Sequence, residues 1–418
     1  MSRLAWIMTA WLASYPLTAA AQAPEPYRES VISVKINRDI KEQTILGSEQ
    51  TPNCPVPWRI EMTRLHGGKQ EGVEQITIHN GKLSIVVLPT RGMSVYQVKA
   101  GDVRLGWNSP VKEHVNPNLM RLDGRGGIGW VEGFNEWMCR CGLEYAGHPG
   151  RDEFIDNTGA KNEMMLTLHG KIGNTPASEV EIVVDKTPPY RLRVRGTVNE
   201  RSFFGPKLEL LTEISTDPGS DTLRIEDKVT NHGASPQEFE LIYHTNYGTP
   251  LLEKGSQLVA PLAEVMPMND SAAKGTDDYA TYQAPTKGFV EQVYLMKPLA
   301  DSSGQTVVML KNSAGDLGTS IRWSTKELPC FTQWKNTAAE ADGYVTGLEP
   351  GTNYPYNRSV ERKAGRLSKL DAGQSRQFRL DFGLHVGAKA VGDIGAEIAK
   401  IQGDKKVQIT RQAPKVAE

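Results

Sequence analysis

Residues 75–89, QITIHNGKLSIVVLP, show the pattern that recurs along most of the chain. Ile76 and Ile78 alternate with polar residues, Asn80-Gly81 follows, and apolar residues alternate again from Leu83. Alternation gives an extended strand one apolar face, and Asn-Gly is a favoured two-residue hairpin turn. The stretch therefore predicts two antiparallel strands joined by a tight turn.

Further stretches repeat this design up to about residue 386. They are VEIVVDKTPPYRLRVRGTV (180–198), KLELLTEISTDPGSDTLRIEDKVTNHG (207–233), EFELIYHTNYG (238–248), FVEQVYLMKP (289–298), TVVMLKNSAGDLGTSIRWST (306–325) and RQFRLDFGLHV (376–386). No long amphipathic helical pattern interrupts them. Many short strands separated by Gly, Pro, Asp and Asn turns predict an all-β fold, an antiparallel sandwich or barrel, in one large domain.

The chain ends have a different composition. Arg3, the apolar run LAWIMTAWLASYPL (4–17) and the small residues TAAAQA (18–23) predict a signal peptide over 1–21, cleaved near Ala21 or Ala23. We therefore expect a periplasmic or secreted protein. The domain plan continues with an N-terminal arm over 22–59, the β domain over 60–386, and a tail over 387–418 that forms at most a short helix.

Composition excludes several classes of partner. The net charge of −1 provides no basic field for nucleic acid, and no other apolar run is long enough to predict a membrane span. Four cysteines are too few for a disulfide scaffold, so they are either free thiols or include one long-range disulfide. No set of Cys and His residues has the spacing of a zinc site. DGRGGIGW (123–130) lies outside any βαβ unit, so we expect neither a dinucleotide nor another cofactor.

Residues 107–163 form a long glycine-rich insertion between strand patterns. Such ordered loops frequently carry function. Its tryptophans, together with Trp334 in FTQWKN (331–336), provide flat apolar faces of the kind that stack on sugar rings.

Three stretches place a titratable side chain at a strand end. His169 lies in LTLHGKIGNTPA (166–177), His244 in LIYHTNYGTPLL (241–252) and Glu349 in YVTGLEPGTNYPY (344–356). Asn246 shares a strand face with His244. Arg91, between Pro89 and Gly92, could direct its guanidinium toward ligand oxygens. Taken singly, each of these groups is equally compatible with a structural role.

Five motifs in this order resemble the aldose 1-epimerase (galactose mutarotase-like) superfamily, and most closely its bacterial branch known as a domain of unknown function. The motifs are LPTRGMSV (88–95), RCGLEYAGHPG (140–150), LHGKIGNTPA (168–177), YHTNYGTPLL (243–252) and GLEPGTNYPY (347–356). The resemblance covers about residues 60–386. It implies a large twisted antiparallel β-sandwich with a sugar-binding cleft, and a small-molecule carbohydrate as partner.

The resemblance also implies roles for individual residues. His169 matches a histidine in an HG context, His244 resembles the general acid, and Glu349 resembles the base that takes the proton from O1. Arg91, Asn246, Glu136 and Arg140 are candidates for orienting hydroxyls, and Trp334 for stacking. Opening a cyclic hemiacetal needs one acid and one base and no metal, and we expect Glu349 ionised with a protonated histidine beside it.

Three functions remain open at this stage. The first is interconversion of sugar anomers. The second is a lyase or isomerase that uses the same acid and base on a modified carbohydrate, and the third is a non-catalytic carbohydrate-binding protein. Gly351 stands where the family motif has glutamine, so the sequence leaves the choice of sugar and reaction open.

Overall fold

A computed structural model describes residues 24–415, and the predicted signal peptide lies outside these described residues. The strands are β1 (Tyr27–Ser33), β2 (Gln43–Leu46), β3 (Arg59–Arg64), β4 (Glu74–His79), β5 (Ser84–Leu88), β6 (Ser94–Ala100), β7 (Val103–Leu105), β8 (Met138–Leu143), β9 (Gly150–Ile155), β10 (Lys161–Leu166), β11 (Glu179–Val184), β12 (Leu192–Arg201), β13 (Lys207–Thr216), β14 (Thr222–Asn231), β15 (Gln237–Tyr247), β16 (Gln257–Val259), β17 (Leu262–Pro267), β18 (Gln292–Pro298), β19 (Gln305–Lys311), β20 (Leu317–Ser324), β21 (Cys330–Asn336), β22 (Val345–Gly351), β23 (Ser368–Leu370), β24 (Ser375–Val386) and β25 (Gln408–Ile409).

Helices are short, with one exception. The α-helices are α1 (Gly47–Gln50), α2 (Gly124–Gly127), α3 (Asp270–Ala273), α4 (Arg358–Lys363) and α5 (Ala388–Gln402). Single 3₁₀ turns span Gly68–Gln70, Pro89–Arg91, Pro117–Leu119, Gly129–Gly133, Ile172–Asn174, Thr276–Asp278 and Glu340–Asp342. None of the helices found between residues 24 and 415 is long and apolar enough to cross a membrane.

Two large sheets pack face to face, which confirms the predicted antiparallel sandwich. Sheet 1 has the order β1-β11-β12-β13-β14-β24-β20-β19-β16. Sheet 2 has the order β2-β3-β4-β5-β6-β8-β15-β22-β21-β18-β17-β25, with β7 beside β6 and β23 beside β15. Strands β9 and β10 form a separate hairpin.

The predicted hairpin at residues 75–89 is confirmed as β4 and β5, which pair antiparallel. The Asn80 side chain stabilises its turn, because Oδ1 accepts hydrogen bonds from the backbone N–H of Lys82 at 2.9 Å and of Leu83 at 2.6 Å. The alternating residues Ile76, Ile78 and Ile85 are fully buried in the core between the sheets.

Both predicted end segments contribute to the sandwich. The arm over 22–59 supplies β1 to the edge of sheet 1 and β2 to the edge of sheet 2. In the tail, α5 is longer than the sequence pattern indicates and packs Val391 and Ile398 against Val307 and Met309 of β19. Strand β25 then pairs in parallel with β17.

An ion pair connects the two sheets through the core. Arg140 of β8 in sheet 2 donates from Nη2 to Oδ1 of Asp227 of β14 in sheet 1 at 2.9 Å, and also donates to Thr212 Oγ1 at 2.7 Å. The Tyr243 hydroxyl donates to the same carboxylate at 2.8 Å. Neither charged side chain is exposed, so each depends on the other for compensation.

The insertion covers the face of sheet 2 that points away from sheet 1. Residues 107–137 are termed the cover, and Trp107, Trp130 and Phe134 of the cover pack on Ile242 of β15 and Val345 of β22. Sheet 2 is therefore buried on both faces at its centre. All four cysteines are free thiols, and Cys139 and Cys141 lie beneath the cover.

Replacing Asp227 with Asn should lower the free energy of unfolding by about 3–5 kcal/mol, because it leaves the Arg140 charge buried without a counter-charge. Urea unfolding followed by circular dichroism measures this change. The matched control is Glu181→Gln, which removes the partner of Arg28 in an ion pair whose side chains are 52% and 32% exposed. We expect the control to change stability by less than about 1 kcal/mol. Equal effects of the two variants would contradict a structural role for the buried pair.

Candidate active site

A cavity of about 330 Å³ lies on the covered face of sheet 2. The cover, the segment before β9, the segment after β10 and strands β15, β18, β21 and β22 form its walls. The lining residues are Ile128, Trp130, Val131, Phe134, His148, Pro149, Leu168, His169, His244, Glu291, Val293, Thr332, Trp334, Glu349 and Pro355. The three residues singled out as catalytic candidates therefore line one cavity.

His244 and Glu349 meet because they are cross-strand neighbours. Strands β15 and β22 are antiparallel, and their register pairs Thr245 with Leu348 and Asn246 with Gly347. The same register places His244 opposite Glu349. Nε2 of His244 lies 3.2 Å from Oε1 of Glu349, and both side chains are almost fully buried.

Gly347 leaves room for this pair. A Cβ at position 347 would lie 2.6 Å from Oε1 of Glu349 and 3.1 Å from Cε1 of His244. Any other residue there would push the carboxyl group or the imidazole from its place. Gly347 thus has a steric role beside the pair that the sequence analysis did not identify.

His169 reaches the cavity from an irregular segment, not from a strand. Its backbone has φ +59°, a conformation that non-glycine residues rarely adopt. Nδ1 donates to the carbonyl oxygen of Ala146 at 3.0 Å, which in the neutral ring leaves Nε2 without a proton. The ring centroid of His169 lies 5.4 Å from that of His244.

Glu240 of β15 fixes the segment that holds His169. Its carboxylate accepts from the backbone N–H of Ala146 at 2.8 Å and from Nδ2 of Asn353 at 3.0 Å. Glu240 is fully buried. The carboxyl group of Glu240 thus connects the motifs that contain Ala146 and Asn353, and the carbonyl of Ala146 in turn binds His169.

Aromatic rings surround His244 on several sides. Ring centroids of Trp130, Phe134 and Trp334 lie 6.1, 5.3 and 5.6 Å from the imidazole centroid. Nδ1 of His244 and Oε1 of Glu349 make no hydrogen bond to any described residue. Buried polar atoms without partners are uncommon in proteins and mark places where a ligand can bind.

Burial shifts both members of the pair toward their neutral forms. It raises the pKa of Glu349 to about 8, with a further contribution from the negative charge of Glu291. It also lowers the pKa of His244 well below its usual value, and the neighbouring His169 lowers it further. The sequence analysis expected an ionised Glu349; the low-dielectric surroundings instead favour the protonated carboxyl beside a neutral imidazole.

His169 also remains neutral near pH 7. Burial lowers its pKa to about 4, although the hydrogen bond to the Ala146 carbonyl acts in the opposite direction. The three catalytic candidates therefore provide one carboxylic acid and two unprotonated imidazole nitrogens at neutral pH.

Arg91 and Glu136 bind each other instead of facing the cavity. Nη2 of Arg91 lies 2.8 Å from Oε1 of Glu136, and both side chains are buried. The guanidinium also donates to the carbonyl oxygens of Val115 at 2.8 Å and Gly133 at 3.1 Å, both in the cover. The pair thus anchors the cover to the end of β5, a structural function that differs from the predicted contact with substrate.

Asn246 likewise supports the cover, because its Nδ2 donates to the backbone carbonyl of Glu136 at 3.0 Å. Arg140 lies on the opposite face of sheet 2 from His244, since it pairs with Tyr243 in the register of β8 and β15 and both face the core. Neither residue lines the cavity, whereas Trp334 does. Trp334 Nε1 donates to Glu291 Oε2 at 2.7 Å.

The cavity contains polar residues that the sequence analysis did not select. His148 and Glu291 are exposed at its mouth, and Thr332 is buried on β21 directly opposite Glu349. His148 occurs in one of the quoted motifs, but nothing in the local pattern of Glu291 or Thr332 distinguishes them from ordinary strand residues. No cluster of three or more His, Cys, Asp or Glu side chains with metal-binding geometry occurs among residues 24–415.

A larger groove, of about 880 Å³, lies along sheet 1. Its lining is dominated by charged side chains of both signs, among them Arg195, Glu213, Glu226 and Lys228. Several of these side chains pair with one another, as Arg195 does with Glu213. None of the candidate catalytic residues lies there, so the cavity on sheet 2 is the candidate site.

Comparison with known proteins shows the family and the fold of the chain. A family model described as "Domain of unknown function (DUF4432)" matches residues 70–384. The crystal structure of a "putative aldose 1-epimerase" from Klebsiella pneumoniae is 42% identical, with a TM-score of 0.88 over 94% of this chain and 100% of that one. A galactose mutarotase-like protein from Clostridium acetobutylicum shares the fold at 14% identity, with a TM-score of 0.54 over 78% of this chain and 98% of that one. A search of curated proteins found no match.

Replacing Glu349 with Gln should stabilise the protein at alkaline pH. A carboxyl group whose pKa is higher in the folded than in the unfolded protein loses stabilisation as the pH rises from its unfolded value to about 8. The uncharged amide has no such dependence. We expect the variant to exceed wild type by about 1 kcal/mol or more in unfolding free energy at pH 9, and by less at pH 5.

Urea unfolding of both proteins at the two pH values measures this difference. Glu340→Gln, at an exposed position, is the matched control and should follow wild type at both pH values. A Glu349→Gln variant that is less stable than wild type at pH 9 would contradict the assignment of a desolvated carboxyl group at this position.

Proposed function

Because this chain belongs to the DUF4432 family, within the galactose mutarotase-like aldose 1-epimerase superfamily, we propose that it is a sugar epimerase that interconverts the anomers of a free sugar. The observation that supports this proposal most strongly is the convergence of His169, His244 and Glu349 on one cavity. These residues are far apart in the sequence.

The reaction requires a proton to leave O1 of the sugar and a proton to reach the ring oxygen. The C1–O5 bond then breaks, an aldehyde forms at C1, and rotation about the C1–C2 bond exposes its other face. Ring closure reverses both proton transfers. An acid and a base held near one sugar ring supply both steps, and no electron transfer is involved.

The described groups have the protonation states that this reaction needs. A protonated Glu349 can donate, and Nε2 of either imidazole can accept. The 3.2 Å separation of His244 Nε2 and Glu349 Oε1 places both groups beside one reacting centre, where their protonation states are coupled. On ring opening the acid gives its proton to the ring oxygen and the base takes a second proton from O1, and ring closure reverses both transfers.

The cavity walls are suited to a sugar ring. Trp130 and Trp334 line the cavity close to His244 and offer aromatic surface to the apolar C–H face of a pyranose. The cover excludes much of the surrounding water, which strengthens electrostatic interactions inside the cavity.

Polarimetry with anomerically pure sugars tests the proposal. Wild-type protein should accelerate the approach to the equilibrium rotation of at least one sugar above the buffer rate. Glu349→Gln and His244→Asn should each lower kcat/KM by about 100-fold or more, because each removes one partner of the proton transfer. His66→Gln is the control, since His66 is exposed and lies outside the cavity.

Mass spectrometry of the products separates this reaction from elimination, because anomers have equal mass and a lyase product does not.

The acceleration of mutarotation by the protein should decline above about pH 8, where Glu349 loses its proton, and below about pH 4, where His169 gains one. Binding of sugars without acceleration of any of them would contradict the proposal and support a binding protein.

A further inference from the structure

The cavity is poor in hydrogen-bonding groups for a site that would hold a fully hydroxylated sugar. Nine of its fifteen lining residues are aliphatic, aromatic or proline. The aliphatic members come from separate segments: Ile128 and Val131 from the cover, Leu168 from the segment before His169, and Val293 from β18. The apolar surface is thus distributed around the cavity.

The polar lining is limited and is in part already used. His169, His244 and Glu349 are assigned to the reacting O1 and ring oxygen. His148, Glu291 and Thr332 remain to bind other hydroxyl groups. An aldohexopyranose has four hydroxyl groups besides the one at C1, and a buried hydroxyl group without a partner is unfavourable. The cavity side chains therefore match a sugar with fewer hydroxyl groups.

The cavity offers no positively charged side chain to an anionic sugar. Glu291 and the protonated Glu349 line it, while no lysine or arginine does among the described residues. The two arginines that the sequence placed at the site are neutralised elsewhere, Arg91 by Glu136 and Arg140 by Asp227. A sugar carrying a carboxylate or phosphate would meet no counter-charge there.

We propose that this cavity selects a deoxy sugar without negative charge, a pyranose in which a methyl group replaces the hydroxymethyl group. This inference rests on the proposed function, because it assigns the reacting atoms to His169, His244 and Glu349. The methyl group packs against one of the aliphatic side chains that line the cavity, Val131, Leu168 or Val293. The remaining hydroxyl groups bind His148, Glu291 and Thr332.

A series of sugars that differ only at C6 tests the proposal. The probes are 6-deoxy-D-galactose, D-galactose and D-galacturonate, with the corresponding members of the D-gluco and L-manno series. Calorimetry gives the dissociation constants, and polarimetry gives kcat/KM. In at least one series we expect kcat/KM for the methyl sugar to be about tenfold higher than for the hydroxymethyl sugar, which is the discrimination typical of one group in an apolar pocket. The uronate should bind at least 100-fold more weakly than the methyl sugar.

Two substitutions test whether an aliphatic lining side chain produces the discrimination between methyl and hydroxymethyl sugars. Val131→Thr and Val293→Thr keep the side-chain shape but add a hydroxyl group to the cavity. At least one of them should reduce the ratio between methyl and hydroxymethyl sugars threefold or more. Val386→Thr is the control, because Val386 is 66% exposed and outside the cavity, and it should leave the ratio unchanged.

The outcomes separate this inference from the proposed function. Preferential binding of methyl sugars without acceleration of their mutarotation would support the cavity preference and contradict the enzymatic function. If the protein accelerates mutarotation but kcat/KM for the hydroxymethyl sugar or the uronate equals or exceeds that for the methyl sugar in every series, the inference is overturned. The proposed enzymatic function would still stand. Absence of binding by every member of the series would overturn the inference as well.

Discussion

The pairing register of β15 between β8 and β22 brings His244 and Glu349 together on the cavity side of sheet 2. Tyr243 faces the core between the sheets, whereas His244 faces the cover. Because side chains alternate along a strand, a shift of one residue would exchange these two faces. It would bury the imidazole in the core and separate it from Glu349. Core packing thus fixes the acid–base geometry indirectly.

Removal of water gives this pair its chemical properties. An exposed carboxyl group would be ionised near pH 7, but the aromatic rings of the cover and β21 keep Glu349 away from solvent and favour its protonated form. The cover in turn depends on Arg91 and Glu136, which hold it to the end of β5. A buried ion pair outside the cavity therefore supports an uncharged acid inside it. The folded protein is less stable at high pH as a result, because ionised Glu349 is buried.

Local pattern predicted the strands well, because alternation and turn chemistry are contained within a few residues. The hairpin at residues 75–89 illustrates this. The sequence analysis named Arg140 as a ligand contact, because the sequence does not show which face of β8 turns toward the core, where Arg140 pairs with Asp227. Local pattern did not predict long-range contacts. The pairing of Arg91 with a charged partner and the position of Glu291 at the cavity mouth both depend on how the cover and β18 pack in three dimensions. The family resemblance, not periodicity, identified His169, His244 and Glu349 as a set.

The central claim is that these three groups surround one sugar ring. A crystal structure of the Glu349→Gln protein soaked with a sugar that it binds would test this claim most directly. We predict that O1 and the ring oxygen of the sugar lie within hydrogen-bonding distance of Gln at position 349 and of an imidazole Nε2 of His169 or His244. A sugar bound in the groove on sheet 1, or one whose O1 faces away from these groups, would contradict the account.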